Sequence, residues 1–250
     1  MAFRAVEGLR IECVTPDILH AVDQGVCTHV LGNIFYEVIQ KHCFGGNDID
    51  SNTKALYSDM KAWYAANRDS SKFQGKLTIQ RIKTSNDWPK LKAKAACTRH
   101  LIKYGIDLST RFNDGTVHDR RRLAVATLLG RWYELIDTTD RRFSDGVVQE
   151  LKTIGRDFMG LYTGLSLEAS RTNTRAWKLV PKFHVFQRLS EWVPEEWGNP
   201  RFFWTYADED MIGSLCEIGA SCHPNTLSET ALVQWLVLFR HGVNASCSEV

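Results

Sequence analysis

The chain has 250 residues, 44% of them hydrophobic, with eight Trp, twelve Phe and a formal net charge of +2, enough for one large domain or two small ones around an ample core. Its opening, MAFRAVEGLRIEC, lacks an apolar signal-peptide stretch, and its longest apolar run, Ala231 to Phe239, is broken by Gln234 and too short for a bilayer. Seven irregularly spaced cysteines read as reduced thiols, so the expectation is an intracellular protein, nuclear or cytoplasmic, neither secreted nor membrane-spanning.

In chain order, Leu9, Ile11 and Cys13 alternate with Arg10 and Glu12, the pattern of a short strand. Thr15-Pro16-Asp17 then supplies an N-cap, a proline at the first helical position and an acid in the first turn. The helix it starts runs to about Gln40, with Val30, Leu31, Ile34, Phe35, Val38 and Ile39 as its apolar stripe. Gly25 and Gly32 lie inside it on roughly one face, which predicts either a kink or a close approach by another backbone. The loop Gly45-Gly46-Asn47-Asp48 follows. The spacing predicts further helices over 53–67, 90–104, 119–137, 146–163 and 183–192. An aromatic segment (Phe202, Phe203, Trp204, Tyr206) leads into a helix ending near Cys222. The last helix opens on a Thr226-x-x-Glu229 capping box and stops before Gly242. The fold class is mainly α.

Charge is spread unevenly. Between Lys72 and Arg122 stand thirteen Lys and Arg against Asp87, Asp107, Asp114 and Asp119, so this stretch is about +9 and the remainder about −7. Such a middle suits a polyanionic partner, bound indifferently to sequence and with strong salt dependence. The residues expected to meet nucleic acid are Lys83, Lys90, Lys92, Lys94, Arg99, Lys103, Arg120, Arg121 and Arg122. The competing reading of the same charges is a solvated helix surface serving protein contacts, as in a helical scaffold with no nucleic-acid role.

Three constellations could carry chemistry. Asp17, His20 and Asp23 follow one another at i,i+3, a row that can fix a histidine tautomer, hold a metal, or simply favour a helix N-terminus. Pro181-Lys182-Phe183-His184 with Arg188 is followed by Trp204-Thr-Tyr-Ala-Asp208-Glu209-Asp210, where Glu209 could help bind a divalent cation or belong to a solvated acidic patch. Cys97-Thr-Arg-His100 has the form of half a zinc site without a second half at the usual spacing.

The run from Thr15 through Asp17, His20, Asp23 and Gly25 to Val26 resembles the Asp-x-x-His…Gly-Val segment of CACTA (Tnp2-like) and related hAT cut-and-paste transposases. Pro181-Lys182-Phe183-His184 and Trp204-x-x-x-x-Glu209 are similar to two later segments of that family. The resemblance implies an RNase H-like core with a helical insertion, and three carboxylates holding two Mg²⁺ or Mn²⁺ ions for DNA strand transfer. On this chain it assigns Glu209 and Asp17 as catalytic and metal-binding carboxylates, with Asp17, His20, Asp23, Gly25 and His184 as the structural signature. It divides the chain into a core remnant with at most a few short strands (1–45), a basic helical insertion (46–180) and C-terminal helices (181–250). Only sixteen residues precede Asp17, so the chain corresponds to the C-terminal portion of such an enzyme and is expected to be a catalytically incomplete, DNA-associating protein. The resemblance also implies that residues 8–41 meet 181–241, with Asp17 or His20 within roughly 10–12 Å of Glu209, a reach that metals and waters could bridge.

Overall fold

The computed structural model describes residues 15–68 and 71–247. It is 72% helix, with no strand among the described residues, and the strand expected across Leu9, Ile11 and Cys13 lies outside them. No described helix is long and apolar enough to cross a membrane.

A π-helix, Leu19–Val26, runs directly into α1, Cys27–Gln40. The Cys27 N–H donates to the carbonyl of Val22, the five-residue spacing of the wider helix. The expected N-cap is two residues late: the first helical residue is Ile18, and Asp17, not Thr15, accepts the His20 N–H at 2.9 Å. Next come α2 (Ile49–Ala66), the single turn α3 (Ile79–Ile82), α4 (Ala95–Arg111), α5 (Val117–Thr138), α6 (Asp145–Arg171), α7 (Pro181–Glu191) and the short α8 (Val193–Glu196). After a 3₁₀ turn at Pro200–Phe203 come α9 (Tyr206–Ser221) and α10 (Leu227–Cys247).

Every helix read from periodicity is present, and the differences lie at the ends. α2 starts early because Asp48 and Ser51 form a capping box, the Ser51 N–H donating to the Asp48 carboxylate at 2.7 Å. α4 starts at Ala95 instead of 90, since the Lys90 and Lys92 N–H groups already donate to the carbonyls of Ile82 and Arg81. α6 continues to Arg171 because Leu165 and Ala169 prolong its buried stripe. α10 runs through Gly242, and the Thr226 hydroxyl donates to the carbonyl of His223 instead of opening a capping box.

The chain forms two compact units, one ending at Phe203 and one beginning at Trp204. Boundaries near 45 and 180 do not separate compact units, because α7 packs on both α6 and the π-helix, and α1 packs on α4. The first unit is a helical assembly in which α5 lies between α4 and α6. Its centre is aromatic: Phe158 meets Phe186 at 4.9 Å, Tyr162 meets Phe183 at 4.2 Å, and Trp132 meets Phe186 at 5.3 Å. Such pairs add about 0.5–1.5 kcal/mol each beyond the area they bury. The second unit pairs α9 with α10.

Candidate nucleic-acid interface

The Asp17–His20–Asp23 row does not survive folding as a row. The His20 ring Nδ1 lies 2.6 Å from the same Asp17 oxygen that caps the helix, on the surface. Asp23 faces the interior, fully buried. The physical reason is the π-helix: each residue turns through a smaller angle than in an α-helix, so side chains three apart no longer stack. Inside, the Tyr133 hydroxyl of α5 donates to the Asp23 carboxylate and lies 3.1 Å from the Cys27 Sγ, while the Thr98 hydroxyl of α4 donates to the Asp23 carbonyl at 2.6 Å. Burial first, and then the neighbouring Asp23, push the Cys27 thiol well above its ordinary pKa, so it stays protonated and inert. These bonds tie the π-helix to α4 and α5. Cys97 and His100 also part: Cys97 lies 3.6 Å from the Tyr64 hydroxyl, and the His100 Nδ1 accepts the Ser71 N–H.

Much of the basic middle is spent internally. Arg122, fully buried, pairs with Glu37 and Asp119 at 3.0 Å each and donates to the Phe112 carbonyl, so it cannot reach a phosphate. Glu37 collects more: the His118 Nε2 at 2.9 Å and the Trp177 indole N–H at 2.6 Å. Burial alone would raise the Glu37 pKa, but the bond from His118 and the Arg122 charge outweigh it and hold the carboxyl below its ordinary range. Arg121 faces Glu168 at 3.4 Å, Arg99 pairs with Asp137, and Arg120 donates to the Gly115 carbonyl. Lys103 is exposed and, with Arg99 and Arg131, lines a groove of about 640 Å³ between α4 and α5.

A different group of cations does come together, from two distant segments. The stretch from Ala169 to Ser190 contains Arg171, Arg175, Lys178, Lys182 and Arg188 and no acid. Trp177 fixes it in place. Its backbone adopts φ 53°, a region rarely tolerated by a bulky residue, and is held there by the Asn33 side chain, which accepts the Trp177 N–H at 2.7 Å, and by the indole bond to Glu37. This anchor lays the 171–182 chain beside the 83–94 loop. Arg175 donates to the Asn86 carbonyl at 2.8 Å, Lys83 reaches the Arg175 carbonyl at 3.4 Å, and the Lys178 ammonium stands 5.9 Å from the Trp88 ring centre. Lys83 also caps the Tyr36 ring at 4.3 Å. Lys90, Lys92 and Lys94 are exposed on the same loop. The result is a basic face interleaved with Trp88 and Tyr36. Arg175 and Lys178 were not among the nominated residues, although the acid-free run around them was a readable signal.

The glycines explain part of this geometry. A Cβ on Gly32 would sit 2.6 Å from the Lys90 backbone, and one on Gly25 would sit 2.7 Å from the Lys182 Cδ. A close approach by another backbone is therefore present at Gly32, whereas Gly25 makes room for the Lys182 side chain and lies in the irregular winding of the π-helix. His184 lies exposed on α7, and its neighbour Phe183 is buried 6.1 Å from His29.

Glu209 belongs to the second unit, in the first turn of α9 beside Asp208, where negative charge favours the helix N-terminus. Asp17 belongs to the first. Among the described residues, no group of three or more His, Cys, Asp or Glu side chains is placed to hold a metal ion. No protein-family model matches this chain, and no curated protein or solved structure matches it either.

Proposed function

We propose that this is a transposase-derived protein that associates with nucleic acid, without sequence preference, through the face built from residues 83–94 and 171–182. The observation that carries the binding reading is the convergence of Lys83, Arg175 and Lys178 around two partly exposed aromatic rings, with Lys90 exposed on the same loop as Lys83. Ammonium and guanidinium groups displace counterions along a phosphate backbone, and aromatic rings accept bases of any sequence by stacking. The origin is supported by the order of the Asp-x-x-His, Pro-Lys-x-His and Trp-x-x-x-x-Glu segments. Glu209 and Asp17 are the carboxylates this origin would assign to Mg²⁺ or Mn²⁺. The capping by Asp17 and the first-turn position of Glu209 each give these residues a sufficient structural role as well.

The test is fluorescence anisotropy on labelled single-stranded and duplex DNA across a salt series. Affinity should fall steeply between about 50 and 200 mM salt. Replacing Lys83, Lys90, Arg175 and Lys178 with Gln should reduce the magnitude of the log K–log salt slope by roughly 3, at about 0.7–0.9 per lost contact. Lys103→Gln, on the α4–α5 groove, should leave the slope nearly unchanged. No binding at low salt, or an equal loss from Lys103→Gln, would return the chain to the scaffold reading.

A further inference from the structure

We propose that Lys90, Lys178 and Lys182, gathered over His29 where α7 begins, form a discrete site for a single phosphate or phosphodiester group. In its nucleic-acid form the site rests on the basic face described above, but the chemistry would serve a free phosphate equally.

The site is built from α1 outward. Gly25, His29 and Gly32 are spaced four and three residues apart, so they share one side of the helix. The missing side chains at both glycines let the Lys182 stem pack against Gly25 and the Lys90 backbone against Gly32. Lys178 arrives from the segment anchored by Trp177. Lys90 from one segment and Lys178 and Lys182 from the other thus act on one ring. Burial first, then Lys90, Lys178 and Lys182, lower the His29 pKa to about 4, against a backbone hydrogen bond at Pro89 that raises it. Lys182 is itself lowered, by burial and then by Lys90. Like charges that act on one another repel, and an anion placed among them would relieve that repulsion.

Two further features point the same way. α7 is eleven residues long, starts with Pro181, and receives no side-chain cap from Val180, so its positive end is not answered by the cap residue. His29 is 6% exposed, yet its Nδ1 has no hydrogen-bond partner among the described residues. A buried polar atom left without a partner is costly in a folded protein. A nearby phosphate would favour the imidazolium, whose Nδ1–H could then donate toward it. The lysines would hold the anion and His29 would report its presence through the field.

The experiment follows the His29 imidazole by NMR through a pH titration of the full chain, with inorganic phosphate or with chloride at equal ionic strength. Phosphate should raise the His29 pKa by roughly one unit relative to chloride. Lys90→Gln and Lys178→Gln, at exposed positions that leave the fold intact, should each diminish the shift, and together abolish it; Lys103→Gln should not. Phosphate acting no differently from chloride, or a shift that survives the double variant, overturns the site. A parallel arm adds a short single-stranded oligonucleotide. If the oligonucleotide binds without moving His29 and phosphate is inert, the basic face stands and the site falls. If phosphate moves His29 while the oligonucleotide does not bind, the site stands as one for small phosphorylated ligands, and the nucleic-acid reading falls.

Discussion

Helix α1 meets positive charge toward both of its ends, with opposite outcomes. Toward its C-terminal end, Glu37 draws Arg122, His118 and the Trp177 indole into the interior, and the cations there are neutralised and fixed. Toward its N-terminal end, His29 feels the charges of Lys90, Lys178 and Lys182, with the Lys182 stem packed on Gly25 and Lys178 beside the Trp88 ring. Arg122 and His118 of the first cluster and Lys90 of the second come from the same basic stretch of sequence. What separates them is whether an acid from a distant part of the chain arrives in the fold. A count of Lys and Arg therefore overstates a binding surface wherever such an acid is present.

The largest effect that could break this contrast is at Arg122. Arg122→Ala would remove the buried cation that Glu37 and Asp119 share, leaving Glu37 to His118 and Asp119 to Lys41, and should destabilise the first unit by roughly 3 kcal/mol. Urea denaturation would measure it. A loss below about 1 kcal/mol, in the range of an exposed ion pair, would mean that Arg122 is not the interior cation described here.

A smaller effect tests the other end. Gly32→Ala places a methyl group 2.6 Å from the Lys90 Cα and N and 2.8 Å from the Leu91 N. Backbone cannot swing aside as a side chain can. The expected cost is roughly 1–3 kcal/mol, together with weaker DNA binding as the 89–94 loop is displaced. Gly160→Ala is the comparison, since nothing lies within 4 Å of a Cβ there and alanine favours a helix interior; it should be neutral or stabilising by up to about 1 kcal/mol. Equal behaviour of the two variants in urea would refute the close approach.

Periodicity made the helices legible because each buries a continuous stripe, as α6 does with Leu151, Ile154, Phe158 and Leu165. It could not place the start of α4, which depends on Ile82 and Arg81 carbonyls paired with Lys90 and Lys92 across the loop. Nor could it reveal the π-helix that turns Asp23 inward, since the i,i+3 reading assumes α-helical winding. Gly32 did announce a close backbone approach, though not which segment would make it. Of the nominated cations, Lys83 and Lys90 belong to the face and Arg122 to the core. That division was hidden because Glu37 lies 85 residues before Arg122 in the chain. Arg175 and Lys178 could have been noticed from the acid-free run they occupy, but their meeting with the 83–94 loop follows from the strained, buried Trp177, which no local pattern announces.

The smallest of these effects concerns pH and the neutralised cluster. His118 is raised above its ordinary 6.5, chiefly by its bond to Glu37 and also by Glu168, whose carboxylate lies 3.2 Å from the other ring nitrogen. A raised histidine contributes stability that is fully present below 6.5 and lost as pH rises through its higher folded value. Glu37 is lowered from 4.5, so its contribution is present above 4.5 and lost as pH falls through its folded value. The pair should therefore stabilise most between these two ordinary values. His118→Gln keeps a polar group beside Glu37 but removes the charge, so it should cost roughly 1 kcal/mol near pH 5.5. The gap from the parent should narrow as pH climbs past the folded histidine value, because the parent then loses the same charge. Thermal melts of both proteins from pH 5 to 9 would show it. A gap that stayed constant over that range would mean that His118 acts by packing alone, against the 6.3 Å edge-on Trp177 ring, and that Glu37 is neutralised by Arg122 without it.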